Sequence, residues 1–388
     1  MTSRREAMFD VAVVGAGPAG AATARRLAQR GLRVLLLERS RMDTPRIGES
    51  LAPAVQPALR SLGVWDDFIA LGALPSWGTR SVWGEAQPQS HSHLQNPWGC
   101  GWHVDRAAFD RMLAQAAAAA GAQLREGTGL HHAQFDGVAW CLHTTDTAAA
   151  PLQARVLVDA TGRRAQLARA FGAKRLQFDS LVGVAVRWLG TAPDEQGHLL
   201  VEAAADGWWY SAPLPAGGMV AMLMTDADLC ARQHLNRAPA WHGALAAAPT
   251  SHERLRAAAC ASTPQVHCAH SQRVRQDAAH AVGPWLAVGD AALAVDPVSG
   301  SGVLRALNTA QAAAETVCQV LGAEADWRAA VVAYEAGRDA ECTDFLIERA
   351  AYYAAEDRFA SAFWRRREAR GRSAERLPAW ALPGVAQR

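Results

Sequence analysis

Lysine is almost missing from this chain. Its 388 residues carry 39 lysines and arginines together, and Lys174 is the only lysine. Chemistry that needs a free amine therefore has one residue to draw on, because arginine stays protonated and does not replace it. Cysteine is sparse and scattered, with seven residues at 100, 141, 230, 260, 268, 318 and 342 and no C-x-x-C pair. That spacing excludes a zinc motif and a disulfide framework and points to reduced thiols, so no metal is expected. No apolar run approaches the ~20 residues of a membrane helix. The first apolar run has Asp10 near its start and does not read as a signal peptide, so the expected location is the cytoplasm. An excess of one charge is missing too. The formal net charge is +2 and no basic block precedes the C-terminal end, which makes nucleic acid an unexpected partner. Half of the residues are hydrophobic, enough for a large folded core.

The chain is organised around Phe9–Ala28. Residues 9–14 are a short apolar, β-branched run that predicts a buried strand. Gly15, Gly17 and Gly20 follow as G-x-G-x-x-G, and residues 18–30 have helical periodicity. Gly15 suits a tight turn, Gly17 lets a pyrophosphate approach the backbone, and Gly20 lets helix and strand pack closely. The helix N-terminus offers free N–H groups to phosphates. A second strand ends at Glu38, 21 residues after Gly17, where a carboxylate is placed to hold a ribose hydroxyl.

Further along, Arg46-Ile-Gly-Glu-Ser-Leu-Ala-Pro53 reads as a shaped loop before a helix over 54–62. Residues 71–103 read as short strands and loops, with Trp77, Trp83, His91, His93, Trp98, Trp102 and His103 as candidates to pack a small sheet or line a pocket. Asp105 is placed to cap a helix running to about 120. Residues 123–158 alternate as strands and end in Asp159-Ala-Thr-Gly162. Four strands over 181–188, 197–202, 207–214 and 219–225 predict one antiparallel sheet, and alanine-rich 226–260 predicts helix. A strand at 285–290 delivers Gly289-Asp290, and Asp296-Pro297-Val-Ser-Gly300-Ser-Gly302 precedes a helix over 303–320. The last 60 residues read as helices, with Arg365–Arg367 as a solvated face. Trp208 and Trp209 are neighbours in a strand, so one is expected to face a cavity and the other the core.

These motifs, over residues 9–320 and in this order, resemble those of FAD-binding aromatic hydroxylases and their relatives. The resemblance implies an α/β fold. A Rossmann-like FAD-binding domain of glutathione-reductase type (1–70, 104–175 and 271–325) would interleave with a substrate domain (71–103 and 176–270, the latter an antiparallel sheet). Helices over 326–388 would follow. It implies FAD rather than NAD, with Glu38 on the adenosine ribose, Arg106 near the phosphates and Asp290 on the ribityl or pyrophosphate. Beside Gly15, Gly17 and Gly20, the expected cofactor residues include Ala19, Arg39, Arg46, Ser50, Asp159 and Gly162. The late motif adds Gly289, Pro297, Gly300 and Gly302, and Asp296 is expected to shape its loop.

Within the superfamily, the Arg46–Pro53 loop and Gly207-Trp-Trp-Tyr-Ser-Ala-Pro213 look most like the tryptophan-halogenase branch. Halogenases need a lysine after the G-E-S loop, and residues 71–80 have none. The lysine-free relatives that 207–215 and 224–228 resemble hydroxylate a tryptophan inside a partner protein during tryptophylquinone biogenesis. The implied activity is hydroxylation of an electron-rich ring through a flavin C4a-hydroperoxide. The substrates would be O2 and a tryptophan-bearing protein or, alternatively, a small aromatic molecule. Glu49, His103 and Asp296 are candidate bases, Asp296 being read foremost as shaping its loop, and Trp208 is a candidate pocket residue. No second G-x-G-x-x-G is present for NAD(P)H, so the flavin is expected to be reduced by transient NAD(P)H or by a separate flavin reductase. Halogenation, geranylgeranyl-type reduction and a redox-silent scaffold are the competing readings. For a protein substrate, loop 71–103 and the C-terminal helices are candidate docking surfaces, with 371–388 expendable for FAD binding.

Overall fold

The computed structural model describes residues 8–189, 197–256, 258–322 and 326–373. A first sheet is built on Phe9–Val14, which runs parallel to Val34–Glu38 on one side and to Leu152–Asp159 on the other. Gln123–Glu126 extends it in parallel at one edge. Trp140–Thr144 and Leu130–Phe135 add antiparallel strands at the other, and Trp285–Ala287 also pairs with Leu152–Asp159. The strand residues alternate between two cores. Val11 and Val13 pack against helices Pro18–Gln29, Arg106–Ala119 and Gly302–Leu321, while Ala12 and Val14 face Trp140, Trp285 and Leu157. A strand buried on both faces must be apolar throughout, which is why residues 11–14 carry no polar side chain.

The second sheet holds the four anticipated strands, at Leu181–Leu189, Leu199–Ala204, Gly207–Pro213 and Met219–Asp226. It is not purely antiparallel. Gly78–Val82 from the 71–103 segment joins it parallel to Leu199–Ala204, and Gln89–Ser92 closes the edge. All four residues of that edge strand are exposed and polar, which blunts unwanted pairing. Residues 226–260 form three short helices rather than one, Ala227–Arg232, Ala238–Ala246 and Pro249–Leu255, followed by a strand at Ala259–Cys260. Pro239 and Pro249 each open a new first turn, where the missing N–H costs nothing.

Of the C-terminal arginines read as a solvated face, Arg365 is exposed but Arg366 and Arg367 are held in ion pairs. Arg367 is buried, pairs with Asp226 at 2.9 Å and lies over the Phe363 ring, and Arg366 pairs with Asp226 and Asp228. Phe363 and Trp364 are buried against Trp208 and Tyr353, so this helix is bound to the second sheet. Most of the segment 371–388, read as expendable, lies outside the described residues.

Helix Trp327–Ala354 is fastened to the strand Gln272–Arg275 by a buried ion cluster. The fully buried Arg273 contacts Glu335 at 2.6 Å and Asp339 at 2.8 Å, and Arg275 takes the other Asp339 oxygen at 2.9 Å. Breaking a buried pair leaves an uncompensated charge. Arg273→Met is therefore expected to cost about 3–5 kcal/mol of stability, read from urea unfolding; an unchanged midpoint would contradict this role.

Candidate active site

The two sheets enclose a cavity of about 1220 Å³. Its nucleotide end is made by the first strand–helix turn. Gly15 has φ +105°, and a Cβ there would strike the Ala160 carbonyl; a Cβ on Gly20 would strike the Gly15 carbonyl. A Cβ on Gly17, Gly162, Gly300 or Gly302 would meet nothing within 4 Å. All four glycines line the cavity, so their side is open for a ligand to approach the backbone. Glu38 lines it too, its Oε2 accepting from the Ala16 N–H at 3.0 Å and its Oε1 from the Ser40 hydroxyl at 2.6 Å. Burial works to raise the Glu38 pKa, but the Ser40 hydroxyl, the two backbone N–H groups and Arg46 hold it below the usual value. It is an anion set for a hydroxyl ligand.

The floor is a mesh of arginines and acids. Asp105 caps its helix, accepting from the N–H groups of Ala107 and Ala108. Arg106 then reaches the Ile47 and Gly48 carbonyls at 3.0 and 3.1 Å, and Asp110 holds both Arg106 and Arg46. At the far side Asp290 faces Arg163 at 3.4 Å, and Arg163 also donates to the Val295, Ala269 and His270 carbonyls. Pro297–Ser299 form one tight turn, Gly300 takes φ +59°, and helix Gly302–Leu321 starts beside the cavity. Its N-terminus presents a partial positive charge there.

The roof is one face of the second sheet. Thr79, Ser81, Leu199, Val201, Trp208 and Tyr210 line the cavity at alternate positions, as do Met222 and Met224 opposite Tyr210 and Trp208. Trp208 is thus the cavity-facing member of its pair, while Trp209 packs against Trp241 in the core beyond. Trp83, His91 and His93 complete the aromatic wall; Trp102 instead packs on Trp65 and Phe68.

Ala19, Arg39, Arg46, Ser50, Arg106, Asp290 and Pro297 also stand on the cavity wall. Five anticipated residues stand behind it. Gly20 and Gly289 are packing positions; a Cβ on Gly289 would lie 2.6 Å from that of Ala19. Asp159 is fully buried and shapes its turn, accepting from Thr161 and Ala168. Glu49 is buried, accepts from the Gly48 N–H at 2.9 Å and faces Arg187 at 3.4 Å; burial pushes its carboxyl pKa up. His103 is fully buried behind Ser50, whose hydroxyl lies on the wall 2.8 Å from its Nδ1. Asp296, expected to shape the flavin loop, caps the 297–299 turn through the Val298 N–H.

Among the wall residues that were not anticipated, three stand out for their chemistry. Tyr210 shares a strand face with Trp208, an i, i+2 relation visible in the sequence. Arg163 directly follows the Asp-Ala-Thr-Gly turn. Cys268 lies 2.7 Å from His270 Nδ1, and His270 Nε2 lies 2.9 Å from Gln272 Oε1, a Cys-x-His-x-Gln spacing along an extended segment. The histidine contact lowers the thiol's pKa, and the thiol raises the histidine's. Lys174 is exposed, pairs with Asp277 at 3.5 Å and is not on the wall. Among the described residues no cluster of three His, Cys, Asp or Glu side chains is arranged to hold a metal, and no helix is long and apolar enough to cross a membrane.

A dinucleotide turn, a ribose-facing acid, an arginine floor and a helix N-terminus fit a flavin dinucleotide. The sequence model of the FAD binding domain family matches residues 8–345. The chain belongs to this family. This FAD-binding protein is 29% identical to a putative FAD-dependent oxidoreductase, LodB, of Marinomonas mediterranea, over 93% of this chain and 97% of the relative. It is 27% identical to a tryptophan 2-halogenase of Chondromyces crocatus, covering 91% of this chain and 69% of that one. Among solved structures, the myxobacterial chondrochloren halogenase CndH superposes with a TM-score of 0.85 at 27% identity, over 95% of this chain and 89% of the other. The protein is an FAD-dependent oxidoreductase of halogenase-like fold.

At Gly17 the backbone has φ −66°, open to any residue, and a side chain there would enter only the cavity. Gly17→Val is expected to keep the apoprotein's circular dichroism and melting temperature and to weaken FAD binding by about tenfold or more, about 1.4 kcal/mol. Undiminished FAD affinity in a flavin titration would contradict the placement.

Proposed function

We propose that this oxidoreductase hydroxylates an electron-rich aromatic ring, a tryptophan of a partner protein on its way to a tryptophylquinone. The observation that carries the reading is the cavity roof, aromatic and thioether in character and without a lysine. Reduced FAD supplies activated oxygen from O2; the chain's residues supply everything else. Glu38 would hold the ribose, Arg46 and Arg106 the phosphate side, and Asp290 with Arg163 the middle of the cofactor. The Pro297–Gly302 backbone and the following helix N-terminus would favour negative charge on the ring by about 0.3–1 kcal/mol. Trp83, Trp208, Met222 and Met224 would pack an indole and keep water out. An indole needs little activation, so positioning contributes most of the rate.

The sequence over 207–215 resembles flavoproteins that hydroxylate peptidyl tryptophan, and the chain matches the Marinomonas oxidoreductase almost end to end. A protein substrate fits the mouth of the cavity, where Gln89 and His91 lie on an exposed edge strand. Halogenation is the second reading, favoured by the similarity to the Chondromyces tryptophan 2-halogenase. Against it stands Lys174, the chain's one lysine, which sits away from the cavity. Either transient NAD(P)H or a separate reductase would reduce the flavin.

The test is mass spectrometry after incubation with reduced FAD, O2 and chloride. The substrates offered are a tryptophan-bearing protein encoded beside this one, free tryptophan and N-acetyltryptophanamide. Oxygen on the partner's tryptophan is the expected result. Oxygen on the free molecules alone would move the reading to a small-molecule hydroxylase.

A further inference from the structure

A second reactive group stands on the cavity wall, where strand Gln265–Cys268 ends. Cys268, His270 and Gln272 occupy alternate positions, so an extended backbone turns their side chains to one side. Cys268 is exposed and lines the cavity. Its Sγ lies 2.7 Å from His270 Nδ1, and His270 Nε2 lies 2.9 Å from Gln272 Oε1. The Gln272 amide is itself held. Its nitrogen donates to the Arg163 carbonyl at 2.8 Å, which turns its oxygen toward Arg175 Nε at 2.7 Å and toward His270. An amide oxygen only accepts, so His270 Nε2 carries a hydrogen and Nδ1 is the atom that shares a proton with the thiol. Nucleophile, base and orienting group thus stand in the order that activates a nucleophile.

The surroundings favour the thiolate. The His270 contact does most to lower the Cys268 pKa, against burial, and Arg163 adds to it while donating to the Ala269 and His270 carbonyls. The thiol contact, and after it Gln272, raise the His270 pKa against burial and Arg163. Arg175 Nη2 lies 3.1 Å from His270 Nε2 and donates to Gln177 Oε1 at 3.0 Å. Two acids stand nearby and are engaged: Asp290 faces Arg163 at 3.4 Å, and Asp179 accepts from the Ser271 N–H and pairs with Arg349. Burial and then Arg187 lower the pKa of the neighbouring His267, so it does not compete for the proton. Other thiols are placed differently. Cys230 and Cys342 are buried, and burial raises both pKa values, that of Cys342 to about 12. Cys141 lies 3.7 Å from His143 Nε2 but away from the cavity wall. Cys260 is exposed like Cys268, yet its thiol donates to the Ser262 carbonyl, which keeps the proton on sulfur.

We infer that Cys268 and His270 form a peroxide-reactive pair, a modification site at which hydrogen peroxide converts the thiol to a sulfenic acid. An FAD-dependent oxidoreductase that meets O2 generates the oxidant itself: oxygen that takes two electrons and two protons without oxygenating a substrate leaves as hydrogen peroxide. In the step, the Cys268 sulfur attacks one peroxide oxygen; an S–O bond forms and the O–O bond breaks. The O–O electron pair leaves with the second oxygen, which takes the proton from His270 Nδ1 and departs as water. Sulfur is oxidised by two electrons, the peroxide is reduced by two, and His270 ends as a neutral ring. A small thiol reverses the change: it condenses with the sulfenic acid to a mixed disulfide and water, and a second thiol releases Cys268. The inference holds whichever ring the cavity accepts, and whether that ring is oxygenated or halogenated.

The test reads the cysteines directly and needs no substrate. The FAD-loaded protein is exposed to hydrogen peroxide at pH 6.5, where an ordinary thiol is only about 1% ionised. Samples are quenched with catalase and denatured in iodoacetamide or in dimedone, and the cysteine peptides are followed by mass spectrometry. Cys268 is expected to lose its alkylatable thiol about tenfold faster than Cys260 and to gain dimedone, and dithiothreitol added before the quench should restore it. As pH falls, Cys268 should stay reactive after Cys260 has slowed, because its lowered pKa keeps the thiolate. His270→Ala, at a half-buried position, should bring Cys268 to the rate of Cys260 and move its pH profile upward. Oxidation of wild-type Cys268 no faster than Cys260, or an unchanged rate and pH profile in His270→Ala, would overturn the pair.

Discussion

The buried carboxylate of Asp296 ties the Pro297–Gly302 loop to the aromatic roof of the cavity. It caps the turn at Pro297–Ser299 and accepts from Arg349 at 3.1 Å and from the Tyr353 hydroxyl at 2.9 Å. Tyr353 in turn accepts from the Trp208 indole N–H at 3.1 Å, so the residue that caps the 297–299 turn fixes a ring in the cavity roof. Arg349 carries the connection on to Asp179, which accepts from the backbone N–H groups of Leu181 and Ser271. One helix, Trp327–Ala354, thereby locks the late cofactor loop, the second sheet and the aromatic roof into one arrangement. A carboxylate so placed is retained only while its partners remain, because an unpaired buried charge costs several kcal/mol.

That lock explains the division of the cavity. The lower wall is polar and charged, with Arg46, Arg106 and Arg163 each answered by an acid or a carbonyl, and suits a dinucleotide. The upper wall is the alternating face of a sheet, and period-two geometry sorts Trp208, Tyr210, Met222 and Met224 into the cavity while Trp209 and Leu223 go to the core. Polar contacts leave the roof from Trp208 toward Tyr353 and Asp296, and from Tyr210 toward Ser50 and His103.

Much of this was legible in the chain itself. The first strand, the three glycines, Glu38 and the Asp105 cap follow from local rules of periodicity and backbone freedom, and they stand where those rules place them. The two tryptophans could be sorted onto opposite faces, but not assigned to one, because both neighbouring cores are apolar. The burial of Arg367 and the pairing of Arg366 were not legible. An arginine run looks solvated until Asp226 and Asp228, some 140 positions earlier, are brought beside it by the sheet. Asp159, Gly289 and Glu49 carry the right motifs, yet they hold the backbone that shapes the wall and do not reach the wall themselves. The contacts of Ser50 with His103 and Tyr210 were hidden for the same reason: the three residues are far apart in sequence and are brought together by the fold.

The central claim, that the lysine-poor aromatic cavity oxygenates a ring instead of halogenating it, meets its most direct test in isotope labelling. The FAD-loaded protein would be supplied with reductant and heavy-isotope O2 in chloride buffer, with a tryptophan-bearing protein as substrate. The account predicts heavy oxygen on a tryptophan ring and no chlorine. Chlorine on the ring, with the heavy oxygen recovered only in water, would contradict it.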